Sequence, residues 1–114
     1  MKYENPPEFN EIILLELNSN DERVVIRSIL SCVLTGGDYE LAVSVVRRFC
    51  KHEREWIRGT AITSISHIAR LWKKLPNDLK EVVHVARADP SEVVRNKSEF
   101  VIDDLEVFIK GYHR

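Results

Sequence analysis

Three stretches of this chain align with one another without a gap, and no other feature constrains its fold as tightly. Residues 21–27 read DERVVIR, residues 52–58 read HEREWIR and residues 89–95 read DPSEVVR. Each ends in an apolar residue followed by arginine, at Arg27, Arg58 and Arg95, and these arginines are 31 and 37 residues apart. Four places after the apolar residue stand Leu30, Ala61 and Ser98, and eight places after it Leu34, Ile65 and Ile102. Residues four apart lie above one another on one face of a helix. A short helical unit cannot bury its apolar face alone and does so against the next copy. The chain is therefore expected to consist of repeated helical units.

Apolar spacings of three and four run through nearly the whole sequence. They predict six helices, over about 7–18, 21–35, 39–51, 53–74, 77–88 and 90–110. Asp38 is placed to cap the third, which sets Leu41, Ala42, Val45, Val46 and Phe49 on one face. Asp89-Pro90-Ser91-Glu92 reads as a cap acid, a proline at the first helical position and a glutamate completing a capping box. Pro6-Pro7 and Pro76 are each expected to open a helix. Gly36-Gly37 stops the second helix, because glycine enters the left-handed region without a steric penalty. The β-branched clusters Val24-Val25-Ile26 and Val82-Val83 lie inside helical patterns, and no two-residue alternation marks a strand. At 114 residues the chain is one domain in size, long enough to bury a core.

The pattern resembles the HEAT-repeat family. The residues that carry the resemblance are an acid, a valine-like residue followed by arginine, a small residue four places on and an aliphatic residue eight places on. Its fullest instance is WIRGTAITSISHIA at residues 56–69. The resemblance implies an all-α fold of three antiparallel helix pairs, stacked as a short right-handed HEAT-like solenoid. The repeats would cover about 7–37, 38–75 and 76–110. It also implies that Arg27, Arg58 and Arg95 bridge adjacent repeats, with Asp21 and Asp89 as partners. His52 departs from the family, which usually has aspartate there.

Charge and chemistry narrow the function. Residues 1–46 carry net −5, residues 47–80 net +6 and residues 81–114 net −2. The basic waist includes Arg47, Arg48, Lys51, Arg54, Arg70, Lys73, Lys74 and Lys80. Phosphate contacts need only such positive charge. The pI of about 6.4 and the acidic flanks nevertheless argue against a general nucleic-acid binder. No apolar run approaches the roughly 20 residues that cross a bilayer. The opening stretch, broken by Glu8, Glu11 and Glu16, reads as no export signal. Cys32 and Cys50 lack metal-type spacing and read as free thiols, which points to a cytoplasmic location. His52, His67, His84 and His113 are scattered, and Asp103 and Asp104 diverge around a helix. Serine and cysteine lack an evident base, and there is no glycine-rich phosphate loop. No catalytic residue, metal ligand or cofactor is therefore expected.

A binding face is expected instead. At about 100° per residue, Ile57, Ala61, Ile65, Ile68, Leu71 and Trp72 of the fourth helix point inward. Trp56, Gly59, Thr63, Ser66, His67, Arg70 and Lys74 point outward. The matching outward positions are Val93, Asn96, Phe100, Asp103, Asp104 and Val107 on the sixth helix, and Val25, Ser28 and Cys32 on the second. From these, Trp56, Thr63, His67, Arg70, Phe100, Asp103, Asp104 and Val107 are the candidate partner-binding residues. Exposed aromatic groups beside polar ones suit a protein interface. In size, charge and fold type the chain is similar to the small bacterial immunity proteins that neutralise toxin domains. That resemblance implies a non-enzymatic, stoichiometric inhibitor whose partner is a cognate toxin domain. A general protein-interaction adaptor is the alternative, followed by a nucleic-acid-binding HEAT-like protein. The sequence leaves the oligomeric state open.

Overall fold

A computed structural model describes residues 6–114; residues 1–5, where the stretch read as carrying no export signal begins, lie outside the described residues. Six helices and no strand form among them: α1 (Glu11–Glu16), α2 (Glu22–Leu34), α3 (Tyr39–Phe49), α4 (Glu55–Trp72), α5 (Asn77–Ala86) and α6 (Glu92–Phe108). None is long and apolar enough to cross a membrane. The caps follow from local chemistry. Asp21 accepts a hydrogen bond from the Arg23 amide, Asp38 from the Leu41 amide and Asn10 from the Ile12 amide. Pro76, whose missing N–H costs nothing at a helix start, precedes α5. Gly37 has φ 66° after the end of α2.

α4 is the centre of the molecule. It packs most extensively on α6, then on α2 and α3, and more lightly on α5. Ile29, Ile57, Ile62, Ile65, Ile68, Leu79, Ile102 and Leu105 are fully buried and fill the space between the helices. Small residues allow the close approach. Ser28, Ser64 and Ser98 are 0% exposed, and their hydroxyls donate to the carbonyls of Val24, Thr60 and Arg95 at 2.7–2.8 Å. Cys32 and Cys50 are free and buried, and burial pushes the Cys32 thiol up to about 11.

Four local expectations need correction. Pro6-Pro7 does not open a helix: α1 starts at Glu11. The preceding strip instead runs along the end of α2, where the Ser31 hydroxyl donates to the Pro7 carbonyl at 2.7 Å and the Phe9 amide to Thr35 Oγ1 at 2.8 Å. Pro7 bars the residue before it from the helical region. The cap of α6 is Ser91, not Asp89. Asp89 takes the Ser91 amide at 2.8 Å and has a second use described below. Leu71 is 42% exposed rather than inward, and Trp72 is half-buried, edge-on to Tyr39 at 5.7 Å. Finally, Val25, Ser28, Cys32, Gly59 and Ser66 are buried, not outward. α2, α4 and α6 lie side by side, so positions on their flanks face a neighbouring helix.

Candidate partner-binding site

Of the arginines at the ends of the aligned segments, Arg58 alone reaches another aligned segment among the described residues. Arg58 Nη1 donates to the carbonyls of His52 and Glu53 at 2.7 and 3.2 Å, and Arg95 Nη1 to those of Asp89 and Pro90 at 2.7 and 3.0 Å. The same hydrogen bonds thus recur at two of the aligned segments. Arg58 also reaches the third, gripping the Asp89 carboxylate through Nε at 2.9 Å and Nη2 at 2.7 Å. These side chains are only 15% and 12% exposed. The Arg58 hydrogen bonds hold the Asp89 carboxyl below its ordinary value against the opposing effect of burial. Arg27 has no such acid ahead of it, because His52 stands there, and it pairs with Glu16 at 3.6 Å instead. Asp21 is spent on its own helix cap.

Two grooves flank α4. The larger, about 700 Å³, runs between α3 and α5 over Ile62, Leu79, Ala86 and Val94. Arg47, which grips Asp78 at 2.8 and 2.9 Å, and the Arg58–Asp89 pair both line it. Nothing in the sequence pattern marked it.

The smaller groove, about 450 Å³, lies between α4 and α6. Thr63, Ser66, His67 and Arg70 form one wall, at spacings of three and four along α4; Lys97, Phe100, Val101, Asp104 and Phe108 form the other. Five of the eight residues anticipated as partner-binding therefore meet here: Thr63, His67, Arg70, Phe100 and Asp104. The other three lie outside the lining. Trp56, 40% exposed, has Lys97 Nζ at 5.9 Å from its ring. Val107 is 74% exposed, and Asp103 is paired with Arg114. Phe100 is 73% exposed at the rim. Burial, reinforced by Arg70, lowers the His67 pKa from its ordinary value, while Asp104 works in the opposite direction. Lys97 and Phe108 were missed, although each continues the α6 row at a spacing of three or four residues from Phe100 and Asp104.

Two details of this groove stand out chemically. Ser66 is 7% exposed, and its hydroxyl has no hydrogen-bond partner. Gly59, at the Trp56 end of α4, leaves room for Lys97: a Cβ there would meet Lys97 Cδ at 2.9 Å. Among the described residues no three of His, Cys, Asp and Glu gather as a metal site.

No protein family matches this sequence, and no curated protein matches it. Among solved structures, the fold is similar to a chain in the crystal structure of the CDI complex from Cupriavidus taiwanensis LMG 19424. The TM-score is 0.80 at 22% identity, covering 95% of this chain and 97% of that one. The likeness is one of fold.

Proposed function

We propose that this chain is an immunity-type protein: a non-enzymatic, stoichiometric inhibitor that binds a toxin domain through the exposed face of α4 and α6. The observation that carries the reading is the fold shared, over nearly the full length of both chains, with a chain of a CDI complex, taken together with the size and charge that resemble small immunity proteins. The face supports it. Large apolar side chains left in water beside a groove edged by charged groups are the raw material of an interface, and a rigid helical platform loses little entropy on binding. In this reading the helices are three HEAT-like repeats, about 7–37, 38–75 and 76–110, in a short right-handed solenoid of antiparallel pairs. The recurring arginine–carbonyl bonds support that division. The protein acts in the cytoplasm, where its two buried thiols stay reduced.

The test uses a toxin domain encoded beside this chain's gene. Mixed with the wild-type protein it should form a one-to-one complex by light scattering and lose its activity at one equivalent. Trp56→Ala and Phe100→Ala should each weaken the complex by about tenfold or more, as truncated aromatic anchors do, with the melting temperature unchanged. No complex, or a complex with an undiminished toxin, sinks the inhibitor reading. Normal binding by both variants moves the docking face elsewhere.

A further inference from the structure

We propose that the groove between α4 and α6 receives a carboxylate side chain of the protein partner, held by the Ser66 hydroxyl and the Arg70 guanidinium, with Phe100 covering its methylene groups. This deepens the function proposed above and rests on its choice of face.

The buried hydroxyls other than that of Ser66, on Ser28, Ser31, Thr60, Ser64, Ser91 and Ser98, all take part in hydrogen bonds. Ser66 alone among these buried groups has none, and it lines the groove. A buried polar group without a partner carries a free-energy penalty that a ligand can remove. One turn further along α4 stands Arg70, exposed and joined to no carboxylate among the described residues. Two unmatched donors at positions i and i+4 share one helix face. A carboxylate, with two oxygens and no hydrogen to donate, satisfies both at once when the Ser66 hydroxyl, covered in this structure, turns into the groove to meet it. His67 lies between them, kept toward its neutral form by burial and by Arg70.

The opposite wall decides between a carboxylate and a phosphate. Asp104 lines it together with Lys97, while Glu99, Asp103 and Glu106 on the same helix lie outside the lining and pair with Arg87 or Arg114. Asp104 repels a phosphate chain, which brings one negative charge per nucleotide, more than it repels one carboxylate. Phe100 gives the aliphatic stem of a glutamate or aspartate an apolar surface. The occupant is thus an acidic side chain of a protein, not a nucleic-acid backbone.

The experiment follows amide shifts of the isotopically labelled full chain during titration with N-acetylglutamate methylamide. The comparison ligands are the glutamine analogue, inorganic phosphate and an oligothymidylate. The glutamate compound should produce saturable shifts at Ser66, His67, Arg70 and Phe100 at about millimolar concentration. The glutamine analogue should bind at least about tenfold more weakly. Arg70→Gln and Ser66→Ala should each cost about tenfold in affinity. Ser66→Ala should also melt at the same temperature or higher, because it removes an unpaired hydroxyl and no internal contact. A structural role for Ser66 would lower the melting point instead. The proposal is overturned by equal binding of the glutamate and glutamine compounds, by no binding, or by wild-type affinity in Ser66→Ala. Tighter binding of phosphate or oligothymidylate also overturns it, in favour of a nucleic-acid groove. The two readings separate cleanly. A toxin complex broken by Phe100→Ala but indifferent to Ser66→Ala and Arg70→Gln keeps the docking face and removes the carboxylate. A carboxylate titration without any toxin complex does the reverse.

Discussion

The two grooves beside α4 differ in what they leave unsatisfied. The one between α3 and α5 is larger and more apolar, yet its arginines, Arg47 and Arg58, each grip an aspartate with two hydrogen bonds. The one between α4 and α6 is smaller, but holds a buried hydroxyl with no partner and an arginine that pairs with no acid among the described residues. Volume alone would select the first. Polar groups that the fold has not matched select the second, because only they gain on contact with something else.

The comparison breaks if the larger groove turns out to be dispensable. Ile62 lines it and is 1% exposed. Ile62→Ala should cost about 2–5 kcal/mol in denaturant unfolding, since the cavity cannot collapse fully around α4. A loss well below that range would mean that this region is loosely packed and open to a ligand. Asp89→Asn comes next, at about 3 kcal/mol, because it strands the largely buried Arg58 charge. The Asp89 carboxyl lies below its ordinary value, so its contribution is present at neutral pH and fades as pH falls below 3.8. The gap between wild type and variant should therefore narrow in acid.

The smaller groove is probed by pH. The His67 pKa is lowered, so the folded state favours the neutral ring. Stability from this site is complete above the ordinary value of 6.5 and declines as pH falls through it toward the lower folded value. Between about pH 7.5 and about pH 5.5 the melting temperature should drop, and His67→Gln should flatten that drop. An unchanged slope would mean that the ring is freely solvated. The smallest effect belongs to Arg47→Ala. Its pair with Asp78 has the same geometry as Arg58–Asp89 but half-exposed side chains, at 48% and 55%. No measurable change in unfolding is expected, as for most ion pairs in water. A loss comparable to that of Asp89→Asn would erase the distinction between the two pairs.

Much of this was legible in the sequence for a local reason. Helix positions follow from spacings of three and four and from caps a few residues away, which is why Asp38 and Pro76 could be read correctly. Pro6-Pro7 could not, because the Pro7 carbonyl serves Ser31 and Thr35, more than twenty residues on. Asp89 looked like a cap, but it is shared between its neighbour Ser91 and an arginine 31 residues earlier. The angular projection told which way Ser66 and Gly59 lean but not how far α6 comes around to meet them. It therefore brought Thr63, His67, Arg70, Phe100 and Asp104 onto one face without showing that they line a groove. The α3–α5 groove is a gap between two helices, and no single helix carries its signature.

Gly59 bears on how such a protein could change partners. It is buried and is not itself one of the candidate partner-binding residues, yet its missing methyl group is what lets the Lys97 chain lie across α4 toward Trp56. Alanine at this position would evict a flexible side chain rather than move a helix, so the fold would survive while the cation at that end of the groove shifted. If the α4–α6 face is the docking face proposed above, descendants of this chain could thus acquire new specificity from beneath it, leaving every exposed residue as it was.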